Sequence, residues 1–496
     1  MNGRKPLISL GSLFDDPQTD IDGIMSDMKV EDLIFAACTG GWSEDCSDCL
    51  SEKLEDQKLF EFYGGNIRYE TDRGESWRNE EKRAEMIDKV HGMQENRCRR
   101  WNEMIKINPY RPGAGLMPAY LAGRDEDIEN IENLFDALLM NIPTQSVMFS
   151  GLRGVGKTVL INQLQKIAED KDIFCRHIEV EEKNDFISQI ANCSQAFLRK
   201  ISMKEKFRDL IQKPLDAIKS LVVSFDPGEN KISLSVQERE LYLTTNLTQS
   251  LTEVFTTIGE AAYKAGIPIC FFIDEIQYMK TEELGALIAA LHRTNQLGYP
   301  VMIIGAGLPK IYSMLSAAKS YSERLFIYKE IGSLGEEQSR KAIEIPAEKF
   351  KITYEKEAVD QIIKITRGYP FFIQQLCKIV YENAEGSRID LEDVSKNVDA
   401  FFKVLDQGFF RVRYERCSEA DKRFVFSMVK CGELPCTISN IAEIMGKPVG
   451  SISTARAQLI NKGIIYAVKY KELDFTVPEF SGFIERLEEY QEWLGQ

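Results

Sequence analysis

The sequence predicts an α/β fold in which helices cover both faces of a parallel sheet, and three observations support this prediction. First, residues 146–150 resemble a short buried strand and are followed by a glycine-rich loop and a segment of helical periodicity. Second, residues 269–273 form a continuous apolar run, typical of a buried parallel strand, that ends in two acids. Third, strands and helices alternate as far as residue 304, as expected of such a sheet.

The composition is that of an ordinary globular protein and excludes several other classes. Hydrophobic residues make up 44% of the 496 residues and charged residues 28%, and this length suits about three or four domains. No apolar run approaches the roughly 18 residues of a membrane helix, so we expect no membrane contact and a cytoplasmic location. The 11 cysteines are scattered, and several lie in apolar segments, as reduced cysteines do. The net charge of −15 argues against non-specific coating of nucleic acid but leaves room for one basic face.

Residues 1–107 form an acidic N-terminal region to which the sequence assigns no role. Cys46-x-x-Cys49 has the spacing of zinc ligands, and Cys38, His91 and Cys98 could complete a site. A second close pair is missing, so free cysteines in a small domain are the favoured interpretation. The region leaves room for a protein partner.

A phosphate-binding loop is predicted at residues 151–158, which fit the pattern G-x-x-x-x-G-K-[ST]. Its glycines let the backbone turn tightly and aim N–H groups inward at a helix N-terminus. Lys157 is expected to reach the β- and γ-phosphates of ATP, and the Thr158 hydroxyl to take one position on Mg²⁺. The preceding strand and the following helix argue against a mere surface turn. The candidate nucleotide ligands are Gly151, Leu152, Arg153, Gly154, Val155, Gly156, Lys157 and Thr158.

The two acids after the second apolar run complete the predicted site. Ligands of open parallel sheets bind at the carboxyl ends of the strands. Asp274 is therefore placed to hold Mg²⁺, and Glu275 to orient and polarise the attacking water. Taken alone, this stretch could be an acidic loop after a core strand, but its pairing with a phosphate loop favours the catalytic interpretation.

These motifs predict a P-loop ATPase core at residues 108–332. Residues 333–407 have only helical periodicity and are interpreted as a helical lid. Within the core, a strand at residues 301–304 is expected to end at Gly305-Ala306-Gly307. The long charged stretch at residues 182–260 is predicted to be mainly helical, with a strand-like excursion at residues 231–236.

Residues 408–480 are predicted to form a winged helix, with three helices followed by a β-hairpin. Between residues 411 and 472, eleven Lys and Arg outnumber six Asp and Glu, although the whole chain is acidic. Such a basic face predicts contact with double-stranded DNA, but winged helices also bind proteins, and that alternative stays open. The candidate DNA ligands are Ser453, Arg456, Lys462, Lys469 and Lys471. An acidic amphipathic helix at residues 481–496 closes the chain.

This order of features resembles the AAA-type ATPases of bacteria and archaea, which are related to archaeal replication initiators and to STAND signalling ATPases. The resemblance covers residues 108–480. Its most particular motifs are Leu121-Ala122-Gly123-Arg124-Asp125, residues 151–158, Phe272-Ile273-Asp274-Glu275-Ile276-Gln277-Tyr278 and Arg367-Gly368-Tyr369-Pro370.

The resemblance implies contacts with the nucleotide that the phosphate loop alone does not assign. Gly123 and Arg124 would lie by the adenine. The turn that contains Tyr369 and Pro370 would close over the nucleotide, and Arg367 would act as a lid sensor.

The resemblance also bears on catalysis. Arg324 stands where relatives carry an arginine finger, so it joins Lys157 and Glu275 as a catalytic candidate, and further copies of the chain are expected partners. Many relatives place a polar sensor residue at the end of a strand where this chain has Gly305-Ala306-Gly307. We therefore expect slow hydrolysis and a switch that holds ATP in one state and ADP in another.

Two functions follow as hypotheses. In the first, an ATPase switch sets the posture of a winged helix that binds DNA, since lid closure could move the wing directly. In the second, the chain is a STAND-type nucleotide-binding scaffold whose winged helix and N-terminal region bind proteins. The basic charge of the wing favours the first hypothesis.

Overall fold

The computed structural model describes residues 108–181, 186–203, 205–225, 246–469 and 471–495. The chain divides into two units, Met1–Ile107 and Asn108–Gln496, and every described residue belongs to the second. The residues considered as zinc ligands and the strand-like excursion at residues 231–236 lie outside the described part. No helix in that part is long and apolar enough to cross a membrane.

A five-stranded parallel sheet forms the centre of the core and confirms the predicted α/β class. Its strands are β1 (Ser146–Ser150), β2 (Phe174–Glu179), β3 (Ile269–Asp274), β4 (Val301–Gly307) and β5 (Phe326–Glu330). Their order across the sheet is β2-β3-β4-β1-β5. Strand β4 therefore lies between the strand that leads into the phosphate loop and the strand that ends in the two acids.

Helices pack on both faces of this sheet. They are α1 (Asp125–Leu139), α2 (Lys157–Asp170), α3 (Phe186–Ser202), α4 (Gln212–Phe225), α5 (Leu247–Ala265), α6 (Thr281–Gln296), α7 (Ile311–Ala318) and α8 (Ser322–Leu325). Successive strand residues point to opposite faces, so Phe149 and Phe272 enter one apolar cluster and Met148 and Phe271 the other. The mainly helical prediction for residues 182–260 agrees with α3, α4 and α5 in the described residues.

Strand β4 is three residues longer than the sequence predicts, because it continues through Gly305-Ala306-Gly307. Glycine usually weakens a strand, which is why the sequence suggested an end there. In the structure Gly307 pairs with Ser150 of β1, and Gly305 pairs with Ile273 of β3. The phosphate loop and the two acids consequently leave the sheet at the same carboxyl edge, on either side of β4.

The lid contains four helices, as predicted, and one short ladder that was not. The helices are α9 (Glu336–Glu348), α10 (Lys356–Thr366), α11 (Pro370–Asn383) and α12 (Leu391–Val404). The prediction of helices alone is wrong at β6 (Thr353–Tyr354) and β7 (Arg388–Ile389), which pair in parallel. Strands of two residues are too short to produce a recognisable periodicity in the sequence.

The C-terminal unit, residues 411–495, follows a π-helical turn at Leu405–Phe410. Its elements are α13 (Arg411–Tyr414), α14 (Glu419–Lys430), β8 (Cys436–Thr437), α15 (Ile438–Ile444), α16 (Val449–Asn461), β9 (Ile465–Lys469), β10 (Glu472–Phe475), α17 (Phe480–Glu485) and α18 (Glu488–Leu494). Helices α14, α15 and α16 and the β9–β10 hairpin follow the predicted order, and β8 adds a third strand beside β10. The single terminal helix expected from the sequence is instead two short helices.

One continuous apolar cluster joins the first face of the sheet, the lid and the C-terminal unit. Aromatic rings mark its path. Phe372 of α11 lies 6.3 Å from Phe410, and Phe410 stacks on Phe483 of α17 at 5.5 Å, both measured between ring centroids. Because packed interiors transmit displacements, a movement of the lid is expected to displace the C-terminal unit as well.

Candidate nucleotide site

The phosphate loop leaves β1 in a conformation that requires glycine. Gly154 and Gly156 have φ values of +83° and +94°, in the left-handed region where other residues are strained. At Gly151 the constraint is space, because a Cβ there would lie 2.1 Å from the Ile331 carbonyl oxygen. Gly156 is also the N-cap of α2, so the loop lies at the positive end of that helix.

Lys157 is buried inside the loop that precedes it. Its Nζ donates hydrogen bonds to the carbonyl oxygens of Gly151 and Leu152 at 3.0 and 2.8 Å. Burial lowers the pKa of the amine, while the nearby carboxylates of Glu275 and Asp274 oppose that shift. The ammonium is thus held against the loop carbonyl oxygens, and its contact with phosphates stays a prediction.

Thr158 and Asp274 meet at the start of α2. The Thr158 hydroxyl donates to Asp274 Oδ2 at 2.6 Å, and Asp274 Oδ1 accepts the backbone N–H of Glu275 at 2.8 Å. The Asp274 side chain is buried at the tip of β3. A hydroxyl and a carboxylate are hard oxygen donors, so this pair fits Mg²⁺.

Glu275 follows Asp274 in a left-handed conformation, with φ 55° and ψ 36°. The turn after it, Ile276–Tyr278, folds back and brings the Gln277 amide onto the Glu275 carboxylate. The sequence motif contained Gln277, but nothing in its spacing indicated this contact.

Gly123 and Arg124 lie between the phosphate loop and the start of the lid. Arg124 is buried, and its Nη2 donates to the carbonyl oxygens of Val155 and Gly332 at 3.2 and 2.9 Å. Burial lowers the pKa of this guanidinium. Gly123, at φ +64°, packs against Gln338 of α9. These contacts connect the loop to the start of the lid, and the proximity to adenine stays a prediction.

The lid turn lies against the phosphate loop, and its predicted closure over the nucleotide stays a prediction. Tyr369 is buried, its ring would be 3.0 Å from a Cβ on Gly154, and its hydroxyl has no hydrogen-bond partner among the described residues. Pro370 begins α11, and the Phe371 N–H donates to the Gly154 carbonyl at 3.3 Å. The side chain of Arg367 is 72% exposed and pairs with Glu479 at 3.0 Å, and its role as a lid sensor stays a prediction.

Arg324 lies at the opposite edge of the sheet from the phosphate loop of its own chain. It precedes β5, whose first residue Phe326 pairs with Ser146, the first residue of β1. Gln145 donates to the Arg324 carbonyl at 2.8 Å, and the Arg324 side chain is exposed. An arginine finger at this position could therefore act only on a neighbouring copy of the chain.

Arg153 connects the phosphate loop with the C-terminal unit. Its Nη2 donates to the Tyr278 hydroxyl at 2.7 Å and would lie 3.0 Å from a Cβ on Gly463. Arg153, Arg413, Arg416 and Lys462 line a cavity of about 100 Å³ at this junction. Burial, and then the charge of Arg153, lower the pKa of Arg413 to about 10. Positively charged side chains are thus clustered where the phosphate loop meets the C-terminal unit.

The candidate DNA ligands do not all lie where the sequence placed them. Ser453, Lys469 and Lys471 are exposed, and Arg456 is half-buried. The prediction that the Lys462 side chain lies on the exposed face of the helix is corrected. Its Nζ lies 2.6 Å from Oδ2 of Asp421, whose carboxylate is fully buried. Lys462 is the C-cap of α16, where helical spacing no longer predicts the direction of a side chain.

Comparison with known proteins supports the assignment of the core. The family model of an AAA ATPase domain matches residues 120–304, and that of a domain of unknown function, DUF8462, matches residues 407–484. The comparison with curated proteins gave no match.

Several solved structures are distantly similar. A Walker-type ATPase of Pyrococcus abyssi is 13% identical, with 73% of this chain and 95% of that chain covered and a TM-score of 0.46. The Aeropyrum pernix Orc1 protein in complex with DNA is 14% identical, with 76% and 95% covered and a TM-score of 0.38. The Thermotoga maritima RuvB Holliday junction branch migration motor is 15% identical, with 75% and 99% covered and a TM-score of 0.38.

Residues 120–304 are an AAA ATPase domain, which confirms the AAA-type resemblance found in the sequence.

The packing at Gly151 gives a direct test of the loop geometry. Gly151→Ala should weaken nucleotide binding and lower stability by roughly 1–3 kcal/mol, because the new Cβ would push the loop away from the Ile331 carbonyl. Gly332→Ala is the control, since a Cβ there meets no atom within 4 Å. Thermal denaturation and nucleotide titration of both variants are the measurements. Equal behaviour of the two would contradict the packing argument.

Proposed function

We propose that this chain binds ATP with Mg²⁺, hydrolyses the ATP, and uses its nucleotide state to set the posture of the C-terminal unit, which acts as a winged helix on double-stranded DNA. One observation carries the proposal: the phosphate loop, Asp274 and Glu275 converge at one edge of the sheet. Homo-oligomers enter the proposal because Arg324 could reach only another copy.

Each residue of the site has a separate role in the proposal. Lys157 binds the β- and γ-phosphates, and the loop amides support the remaining phosphate oxygens. Thr158 and Asp274 would hold Mg²⁺, which neutralises phosphate charge when bound. Glu275 orients the attacking water and accepts its proton. Tyr369 and Pro370 close the lid side of the site.

The coupling to the C-terminal unit is supported by direct contacts with the core and the lid. Arg153 reaches Gly463, and Lys310 Nζ donates to Asn461 Oδ1 at 2.8 Å. The ion pair between Arg367 and Glu479 links the lid to the start of α17. A change at the phosphate loop or the lid would therefore reach the C-terminal unit near Gly463 and at Glu479.

The DNA contact is supported by the charge and exposure of the β9–β10 hairpin. Lys469 and Lys471 are exposed in an otherwise acidic chain, and they would meet phosphates. Arg456 and Ser453 on α16 would face the groove. Lys462 no longer belongs to this set, since Asp421 holds its amine.

That reduced basic face favours a second candidate function, a STAND-type scaffold whose C-terminal unit binds a protein. The ion pair of Lys462 with Asp421 and the half-burial of Arg456 leave less positive charge exposed on the expected DNA surface. In this alternative, residues 1–107 would supply a second protein-binding region.

Lys157→Ala tests nucleotide binding. It should weaken ATP–Mg²⁺ binding by about 10- to 150-fold, because it removes a charged hydrogen-bond donor to the phosphates. Isothermal titration with ATP is the measurement, and Lys166→Ala, an exposed residue of the same helix, is the control. Unchanged ATP affinity in Lys157→Ala would overturn the assignment of the loop.

Glu275→Gln tests hydrolysis. We expect nucleotide binding to persist and turnover to fall by about 10²- to 10⁴-fold, because the amide keeps the shape of the side chain but cannot accept the proton. Phosphate release is measured under saturating ATP, with the exposed Glu282→Gln as control. Equal turnover in mutant and wild type would remove Glu275 from the mechanism.

The double substitution Lys469→Ala with Lys471→Ala decides between the two functions. If each lysine meets a phosphate, the double variant should bind duplex DNA more weakly, and the slope of log K against log salt should become shallower by about 2. Fluorescence anisotropy at several salt concentrations, with ATP and with ADP, is the measurement. Lys356→Ala with Lys364→Ala removes the same charge from exposed sites of the lid and is the control. Failure of the wild type to bind DNA in either nucleotide state would favour the scaffold.

A further inference from the structure

The turn after β3 places a buried amide on the predicted general base. Gln277 is 7% exposed, and its Nε2 donates to Glu275 Oε2. Its Oε1 accepts the backbone N–H of Leu308, directly after β4, at 3.0 Å. Gln277 therefore bridges the acidic end of β3 and the glycine-rich end of β4.

The chemistry of its two partners determines the orientation of this amide. A backbone N–H can only donate, so it must face the carbonyl oxygen of Gln277. An ionised carboxylate can only accept, so it must face the NH₂ group. A flipped amide would lose both hydrogen bonds, and the side chain is consequently held in one orientation.

The glycines of β4 provide the space for this turn. A Cβ on Gly307 would lie 2.7 Å from Gln277 Oε1, and a Cβ on Gly305 would lie 2.3 Å from Ile276 Cδ1. A larger residue would have to displace the Gln277 amide at position 307, and the Ile276 and Met148 side chains at position 305. The glycines at the end of β4 and the side chains of the turn after β3 are thus packed closely against each other.

We propose that Gln277 is a positioning residue for Glu275 and performs the task that a polar side chain at the end of β4 would otherwise perform. The inference rests on the proposed role of Glu275 in hydrolysis. It explains how a chain with Gly305-Ala306-Gly307 can still connect the end of β4 to the catalytic carboxylate.

The physical effect of Gln277 is to restrict the carboxylate. A hydrogen bond to Oε2 limits rotation of the Glu275 side chain and leaves Oε1 for the attacking water. Because the donor is neutral, it orients the carboxylate without neutralising it. Correct placement matters, since a displacement of about 1 Å can reduce a rate by about 10²-fold.

Gln277→Met tests the proposal, because methionine fills a similar volume and makes neither hydrogen bond. We expect kcat to fall by up to about 10²-fold with the affinity for ATP unchanged. In the Glu275→Gln background the same substitution should have no further effect, because Gln277 acts through Glu275. A purely structural role would instead lower turnover in both backgrounds.

Gln277→Glu gives an independent readout, because it keeps an acceptor for the Leu308 N–H but places a second carboxylate beside Glu275. Like charges repel, so Glu275 should be displaced from the position in which the amide holds it. We therefore expect kcat to fall while the affinity for ATP stays unchanged. Gln249→Glu, at an exposed site on α5, adds the same charge elsewhere and should leave kcat unchanged.

The outcomes separate this inference from the proposed function. Wild-type kcat in both Gln277 variants would overturn the positioning role and leave the ATPase proposal intact. Increased turnover in Gln277→Met would overturn it too, since the amide would then restrain rather than support Glu275. If Glu275→Gln hydrolyses ATP as the wild type does, both proposals for the carboxylate fail, while nucleotide binding is still judged through Lys157.

Discussion

Glycine at the carboxyl edge of the sheet allows atoms to approach more closely than a Cβ would permit, and the candidate site depends on that approach. Gly151 passes the Ile331 carbonyl, and Gly305 and Gly307 receive the side chains of the turn after β3. The phosphate loop, the two acids and the end of β4 can share one small volume only because these positions lack side chains. The same glycines that suggest a weak strand in the sequence therefore hold the site together.

Burial then determines how the charged groups of the site behave. Lys157 and Arg124 are both buried against backbone carbonyl oxygens, which replace part of the water that the cations lose. Lys157 also lies in the field of Asp274 and Glu275, and this field favours its ammonium form. A phosphate group arriving at the loop would meet a Lys157 ammonium that is already oriented.

The continuous apolar cluster connects three parts of the described chain into one packed interior. The first face of the sheet, the lid and the C-terminal unit share one interior, so they are not independent modules joined by linkers. Beside this interior, Arg153 approaches Gly463 closely and Lys310 Nζ donates to Asn461 Oδ1. The core and the C-terminal unit are consequently connected through short, direct contacts.

The sequence by itself determined the α/β class and the strands that lead into residues 151–158 and into Asp274 and Glu275, because periodicity and local motifs are properties of neighbouring residues. It also determined that these two motifs converge, because ligands of open parallel sheets bind where the carboxyl ends of the strands meet. Tertiary structure alone decided the extension of β4 through its glycines, the bond between Gln277 and Glu275, and the capture of Lys462 by Asp421. The strand extension and the pairing of Lys462 with Asp421 join residues that are distant in sequence, and the bond between Gln277 and Glu275 depends on how the turn between them folds back. Local patterns carry no information about such partners, and only packing in three dimensions selects them.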